Sequence, residues 1–243
     1  MSTFAGKSKN SAPSSVLGGA VLALEACALA GAGGSAVASW GEFTQANSAR
    51  RPVIVGTGGS RGGKYVSFTA TSQQFMYLSN KQLNLLSGNG GTIACVVRFK
   101  TPVNQWERIF SAMTVADNKK DVISVYRYSN QTVMEYSFPA WVGVNNAIVN
   151  DAWAVYIMRY SVSNSSSYFS RNGTALSTTL KGAYPVTNVA ANMGLGANVY
   201  GGNPSLAVGG NFGNIDMEAF YLWDRSLTDA ECTSVYNYLS TAL

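Results

Sequence analysis

Between Thr92 and Lys100 the chain alternates, with Ile93, Cys95, Val97 and Phe99 at every second position and Arg98 and Lys100 on the other register. Period two belongs to an extended strand, whose successive side chains point to opposite faces, so this run predicts a half-buried antiparallel strand. Short runs of the same kind recur at 52–55, 64–70, 75–78, 108–112, 121–127, 132–138, 153–161, 167–171, 193–197 and 215–223, separated by Gly, Asn and Ser. Many short strands at roughly ten-residue spacing predict an all-β, two-sheet antiparallel sandwich rather than a parallel α/β sheet. Asn172-Gly173 predicts a two-residue hairpin turn, because both positions tolerate positive φ. One helix is expected near the end. Thr228-Asp229-Ala230-Glu231 reads as a capping box, and Val235, Tyr238 and Leu239 follow at helical spacing.

The composition agrees with such a fold. Of the 243 residues 47% are hydrophobic and 12% charged, so the water-facing surface must be built largely from Ser, Thr, Asn, Gln and Gly, as in β-proteins. No linker follows residue 34, and one domain over 16–243 is expected. Residues 1–15 form a small-residue arm carrying Lys7 and Lys9, without hydrophobic periodicity. The next segment, Val16 to Gly34, imitates a signal peptide. Glu25 inside its apolar stretch and the long preceding region argue instead for an early strand and turn, and the stretch is too short and interrupted to span a bilayer.

The chain has no histidine, which removes Ser/His and Cys/His nucleophile pairs, imidazole bases and His-ligated metals. Its three cysteines lack CxxC spacing, so no disulfide framework is expected, and Cys95 reads as a buried small hydrophobe. The net charge is +5, with Lys7, Lys9, Arg50, Arg51, Arg61 and Lys64 set against Glu25 and Glu42 in the first 64 residues. These cations are spread singly or in pairs, so nucleic-acid binding is not expected.

Three ordered segments resemble the laminin G-like branch of the concanavalin A-like lectin and glucanase superfamily. They are VLALEACAL with SAVASWGEF, RRPVIV and GGKYVSF; then Thr92 to Phe99 with WERIFSA; and finally GNIDMEAFYLWDRSLTDAECTSVYNYL. The resemblance covers most of residues 20–240 and implies a jelly-roll sandwich with a short C-terminal helix. It also implies a structural role for Asp216 in the closing strand. That strand, 215–223, carries Tyr221 and Trp223 on one register and Phe220 and Leu222 on the other, and should be covered on both faces.

Glucan hydrolases of the superfamily carry a signature resembling Glu-x-Asp-x-Glu. Here Asn214-Ile215-Asp216-Met217-Glu218 has an amide where the nucleophile would stand, and an amide cannot form the glycosyl ester. The chain is therefore expected to be no enzyme. No cofactor is expected. Calcium, which related lectin domains hold, has scattered candidate ligands in Asp117, Asn118, Asn150, Asp151 and Asp216, all of which also read as turn-formers. GTGGSRGGK and GNGG lack the strand–GxxxxGK[ST]–helix context of a phosphate loop.

Among five tryptophans, Trp141 in the loop-like FPAWVGVNN is expected to be exposed, and Trp141, Asn145 and Asn146 are candidate contacts to a glycan or a partner. The sequons at Asn130, Asn164 and Asn172 matter only in a secreted chain. Laminin G-like domains of this sort resemble those of large DNA virus and phage particles. The expectation is thus a non-catalytic assembly protein of the virion, a minor capsid component contacting capsid proteins through its sandwich and through an arm bearing Lys7 and Lys9. The alternative is a carbohydrate-binding or adhesion module, extracellular or at a cell surface.

Overall fold

The computed structural model describes residues 14–85, 89–103, 106–114, 121–128, 132–138, 140–183, 188–199 and 211–241. Lys7 and Lys9, Asp117 and Asn118, and Asn130 lie outside the described residues.

A helical turn, α1 (Ser14–Leu17), precedes β1 (Leu22–Glu25), β2 (Ser39–Trp40), β3 (Phe43–Thr44), β4 (Val53–Val55), β5 (Tyr65–Phe68) and β6 (Met76–Leu83). The middle of the chain supplies β7 (Gly90–Phe99), β8 (Arg108–Thr114), β9 (Asp121–Arg127), β10 (Met134–Phe138), β11 (Ala140–Val144) and β12 (Trp153–Ser161). Then come β13 (Ser166–Arg171), β14 (Thr174–Ala175), β15 (Thr179–Ala183), β16 (Val189–Leu195), β17 (Ile215–Trp223) and α2 (Asp229–Leu239).

These strands make two antiparallel sheets, as the spacing of the apolar runs predicts. The first runs β14-β13-β12-β7-β17-β5-β4, with β1 also on β17; the second runs β15-β11-β10-β9-β8-β16-β6-β3-β2. Strand β17 has β7 along one side. Its other side is shared, β5 taking Ile215–Met217 and β1 taking Ala219–Leu222.

The main core fills the space between the sheets, where Ile93, Cys95, Val97 and Phe99 of β7 meet Ile123 and Val125 of β9 and Met134 and Tyr136 of β10. Each such fully buried side chain contributes about 1.5–3 kcal/mol relative to exposure. The other side of the first sheet is also dry. Ala94, Val96, Tyr221 and Trp223 lie in a second cluster with Val235 and Leu239 of α2, and Trp223 Nε1 donates to the carbonyl of Val16 at 2.9 Å. The closing strand is therefore covered on both faces, as expected. Strand β7 is buried on both faces except at Arg98, which stays partly exposed, because α2 and α1 cover Ala94 and Val96 on the face that alternation alone assigns to solvent.

Local predictions with local causes match. Thr228 Oγ1 accepts from the Glu231 amide at 3.2 Å while the Glu231 carboxylate accepts from the Thr228 amide at 2.8 Å. Asn172 (φ 50°) and Gly173 (φ 76°) form the two-residue turn between β13 and β14. The Val16–Gly34 segment does hold the expected early strand, β1, flanked by α1 and a 3-10 turn at Ala26–Ala28. The principal correction concerns FPAWVGVNN. Residues 140–144 form β11, in register with β10, with Ala140, Val142 and Val144 in the core. Its small and glycine residues read as loop, but a strand paired on both sides, by β10 and β15, buries such an alternation.

Candidate functional site

On the second sheet, residues alternating with the core positions make a row across neighbouring strands. Arg108 of β8 stands opposite Tyr126 of β9, Tyr126 opposite Glu135 of β10, and Glu135 opposite Gly143 of β11. Because Met134 and Tyr136 point into the core, Glu135 must point away from it. Gly143 leaves room in this row, and the stem of Lys181 from β15 fills it: a Cβ at Gly143 would lie 2.7 Å from Lys181 Cε.

Glu135 is fully buried, and three donors converge on its carboxylate. Tyr126 Oη donates at 2.5 Å, Trp141 Nε1 at 3.0 Å, and the Lys181 ammonium completes the set as an ion pair. The Arg108 guanidinium lies 4.0 Å from the Tyr126 ring centroid, a cation–π contact on the same buried floor. Above it sits a partly exposed cover of Trp106, Tyr128, Trp141 and Lys181. The Lys181 ammonium is 5.1 Å from the Tyr128 ring and 5.6 Å from the Trp141 ring, and Trp106 meets Tyr128 edge-on at 4.8 Å. Trp106 holds φ +60°, a left-handed conformation that is strained for a bulky residue and is found preferentially at functional positions.

Trp141 is thus half-buried on a strand, not exposed on a loop. Its indole N–H is spent on Glu135, which fixes the ring while leaving part of its surface outside. Asn145 and Asn146 are exposed in the turn after β11, four and five residues from Trp141, or about 13–17 Å along the strand. The fold does not bring them to Trp141. Asn146 instead accepts a bond from Arg171 on its backbone oxygen at 2.9 Å. Tyr126, Glu135 and Lys181 escape sequence reasoning because they meet only through strand register, and Trp106 and Tyr128 because they join from the segments flanking β8 and β9. The one sequence signal is Glu135, a lone charge inside an apolar strand.

The carboxylates of the hydrolase-like motif are held apart by different cations. Asp216 is buried and pairs with Arg98 at 2.6 Å and Lys100 at 3.2 Å. Glu218 pairs with Arg61, and Asn214 Nδ2 donates to Pro102 O at 3.2 Å. The remaining described calcium candidates also have protein partners. Asn150 Oδ1 accepts from Arg127 at 3.0 Å, and Asp151 accepts from the Thr101 amide and hydroxyl, both at 3.0 Å. Among the described residues no three His, Cys, Asp or Glu side chains converge as a metal site, and no helix is long and apolar enough to cross a membrane.

No protein-family model and no curated protein sequence matches the chain. Solved structures do resemble it. Trypanosoma rangeli sialidase in complex with sialic acid superposes with a TM-score of 0.52 at 11% identity, over 93% of this chain and 34% of that one. The Ruminococcus gnavus IT-sialidase CBM40 bound to α2,3-sialyllactose gives 0.47 at 17% identity over 65% and 92%, and the heptameric SAP-like pentraxin from Limulus polyphemus gives 0.47 at 12% over 67% and 72%. The chain spans about a third of the length of the Trypanosoma protein. The likeness is one of fold, a two-sheet antiparallel β-sandwich of the jelly-roll kind.

Proposed function

We propose that this domain is a non-catalytic carbohydrate-binding module whose contact surface is the cover of Trp106, Tyr128, Trp141 and Lys181 on the second sheet. The observation that carries this reading is the buried Glu135, whose three donors hold one of those rings and the ammonium in place. Sugar rings present apolar faces that stack on aromatic side chains and hydroxyls that bond to fixed polar groups. A pre-positioned set of rings around one ammonium supplies both. The Trypanosoma structure holds sialic acid; at 11% identity that guides the choice of probes and no more.

The test is a glycan array with the full chain, followed by calorimetry on the best binder, with sialylated and neutral oligosaccharides side by side. Binding that drops at least about tenfold in Trp141→Ala and Tyr128→Ala, with the fold unchanged by circular dichroism, supports the site. A blank array, or binding indifferent to both substitutions, removes it. The assembly-protein reading, with capsid partners and a virion location, draws on an arm whose Lys7 and Lys9 lie outside the described residues.

A further inference from the structure

The glycine-rich segment at 58–64 lacks the surroundings of a phosphate loop, yet it already holds an oxyanion. Gly58 (φ +89°) and Gly62 (φ +68°) turn the chain back on itself, with the Gly62 amide donating to Gly59 O at 2.8 Å and the Gly59 amide to Gly63 O at 3.0 Å. The Glu218 carboxylate enters this turn. Ser60 Oγ donates to its Oε2 at 2.8 Å, the Arg61 backbone amide donates to the same oxygen at 3.3 Å, and Arg61 Nε donates to Oε1. Gly59 makes the approach possible, since a Cβ there would stand 2.8 Å from Glu218 Oε2 and 2.9 Å from Gly63 O.

Glu218 is 2% exposed and lies at the register shift of β17 between Met217 and Ala219. A bulge of that kind re-aims a side chain that regular alternation would place elsewhere. A hydroxyl, a backbone amide and a guanidinium from two consecutive residues converge on one carboxylate, the donor chemistry that recognises carboxylates and phosphates.

We propose that the loop at 58–63 is an oxyanion-binding loop whose resident ligand is the Glu218 carboxylate. The internal ligand closes the loop to free phosphate in the native protein and pins it to the closing strand. Arg61 extends the arrangement, donating Nη2 to Glu25 Oε2 at 2.9 Å, while Glu25 Oε1 accepts from the hydroxyls of Tyr221 and, at 2.9 Å, Tyr238. Loop, β1, β17 and α2 therefore meet around two carboxylates and one guanidinium.

Glu218→Ala removes the occupant and leaves its donors. The probe is inorganic phosphate against chloride at fixed pH and ionic strength, read by thermal unfolding of the full chain. Phosphate is expected to raise the Tm of Glu218→Ala saturably, by roughly 2–4 °C more than that of wild type. The extra rise should vanish in the Ser60→Ala/Glu218→Ala double variant and be missing from Glu218→Gln, whose amide still fills the turn. Equal phosphate increments in wild type, Glu218→Ala and the double variant would reflect general exclusion of phosphate from protein surfaces and would overturn the proposal. Should Glu218→Ala be unfolded in chloride, phosphate is expected to restore its β-sheet circular dichroism; a chain that stays unfolded at every phosphate concentration overturns the proposal equally.

Discussion

Lys181→Met keeps most of the stem that crosses Gly143 but deletes the ammonium facing Glu135. The carboxylate is then fully buried with two neutral donors, Tyr126 Oη at 2.5 Å and Trp141 Nε1 at 3.0 Å. Removing one partner of a buried pair costs about 3–5 kcal/mol, because a desolvated charge is left behind. Two donors persist here, and the Lys181 side chain was 37% exposed in the pair, so the expected loss is about 2–3 kcal/mol. Adding Glu135→Gln removes the stranded charge while keeping a carbonyl acceptor, and the double variant should lie only about 1 kcal/mol below wild type. The double variant is thus expected to be more stable than Lys181→Met alone. Urea unfolding at neutral pH measures this, with unchanged m-values showing that the two-state comparison holds. Additive losses in the double variant, or a loss below about 0.5 kcal/mol in Lys181→Met as for a solvent-screened surface pair, would refute the reasoning.

Gly173→Ala should destabilise by about 1–3 kcal/mol in thermal unfolding, since φ is +76° and the new Cβ would stand 2.7 Å from Tyr236 Cε1. The Arg225 guanidinium, bonded to Glu231 at 2.7 Å, together with the Thr228 cap, lowers the Glu231 carboxyl from 4.5 to about 2. A lowered folded value stabilises fully above 4.5 and is lost as pH falls toward 2, so the acid limb of a stability–pH curve should flatten over that window in Arg225→Met. In the native state an aromatic disulfide reagent should titrate one thiol, the exposed Cys27. Cys95 and Cys232 are buried, burial raising both thiols and carrying Cys232 to about 11, so they should react only on unfolding; two fast thiols would contradict the packing.

The parts of the molecule that were legible in the sequence are those whose cause is local. The alternation of Ile93, Cys95, Val97 and Phe99 follows from the geometry of one strand, the Thr228–Glu231 box from one helical turn, and the Asn172-Gly173 turn from two φ angles. Each is decided within about ten residues, where period and turn chemistry act directly. The same logic misjudged 140–144, because glycine and alanine there mark close packing of neighbours and not a loop.

What tertiary structure alone decided is who stands beside whom. Arg108, Tyr126, Glu135 and Lys181 share a site because β8, β9, β10, β11 and β15 pair in one particular register, and a slip of one residue would turn each side chain to the other face. Glu218 reaches Ser60 and Arg61 through a bulge 157 residues away from Arg61, and Ala94 and Val96 are dry because α2 folds over them. Period two tells a residue which side of a strand it occupies; only the assembled sheets tell it whether that side meets water, a helix or a buried charge.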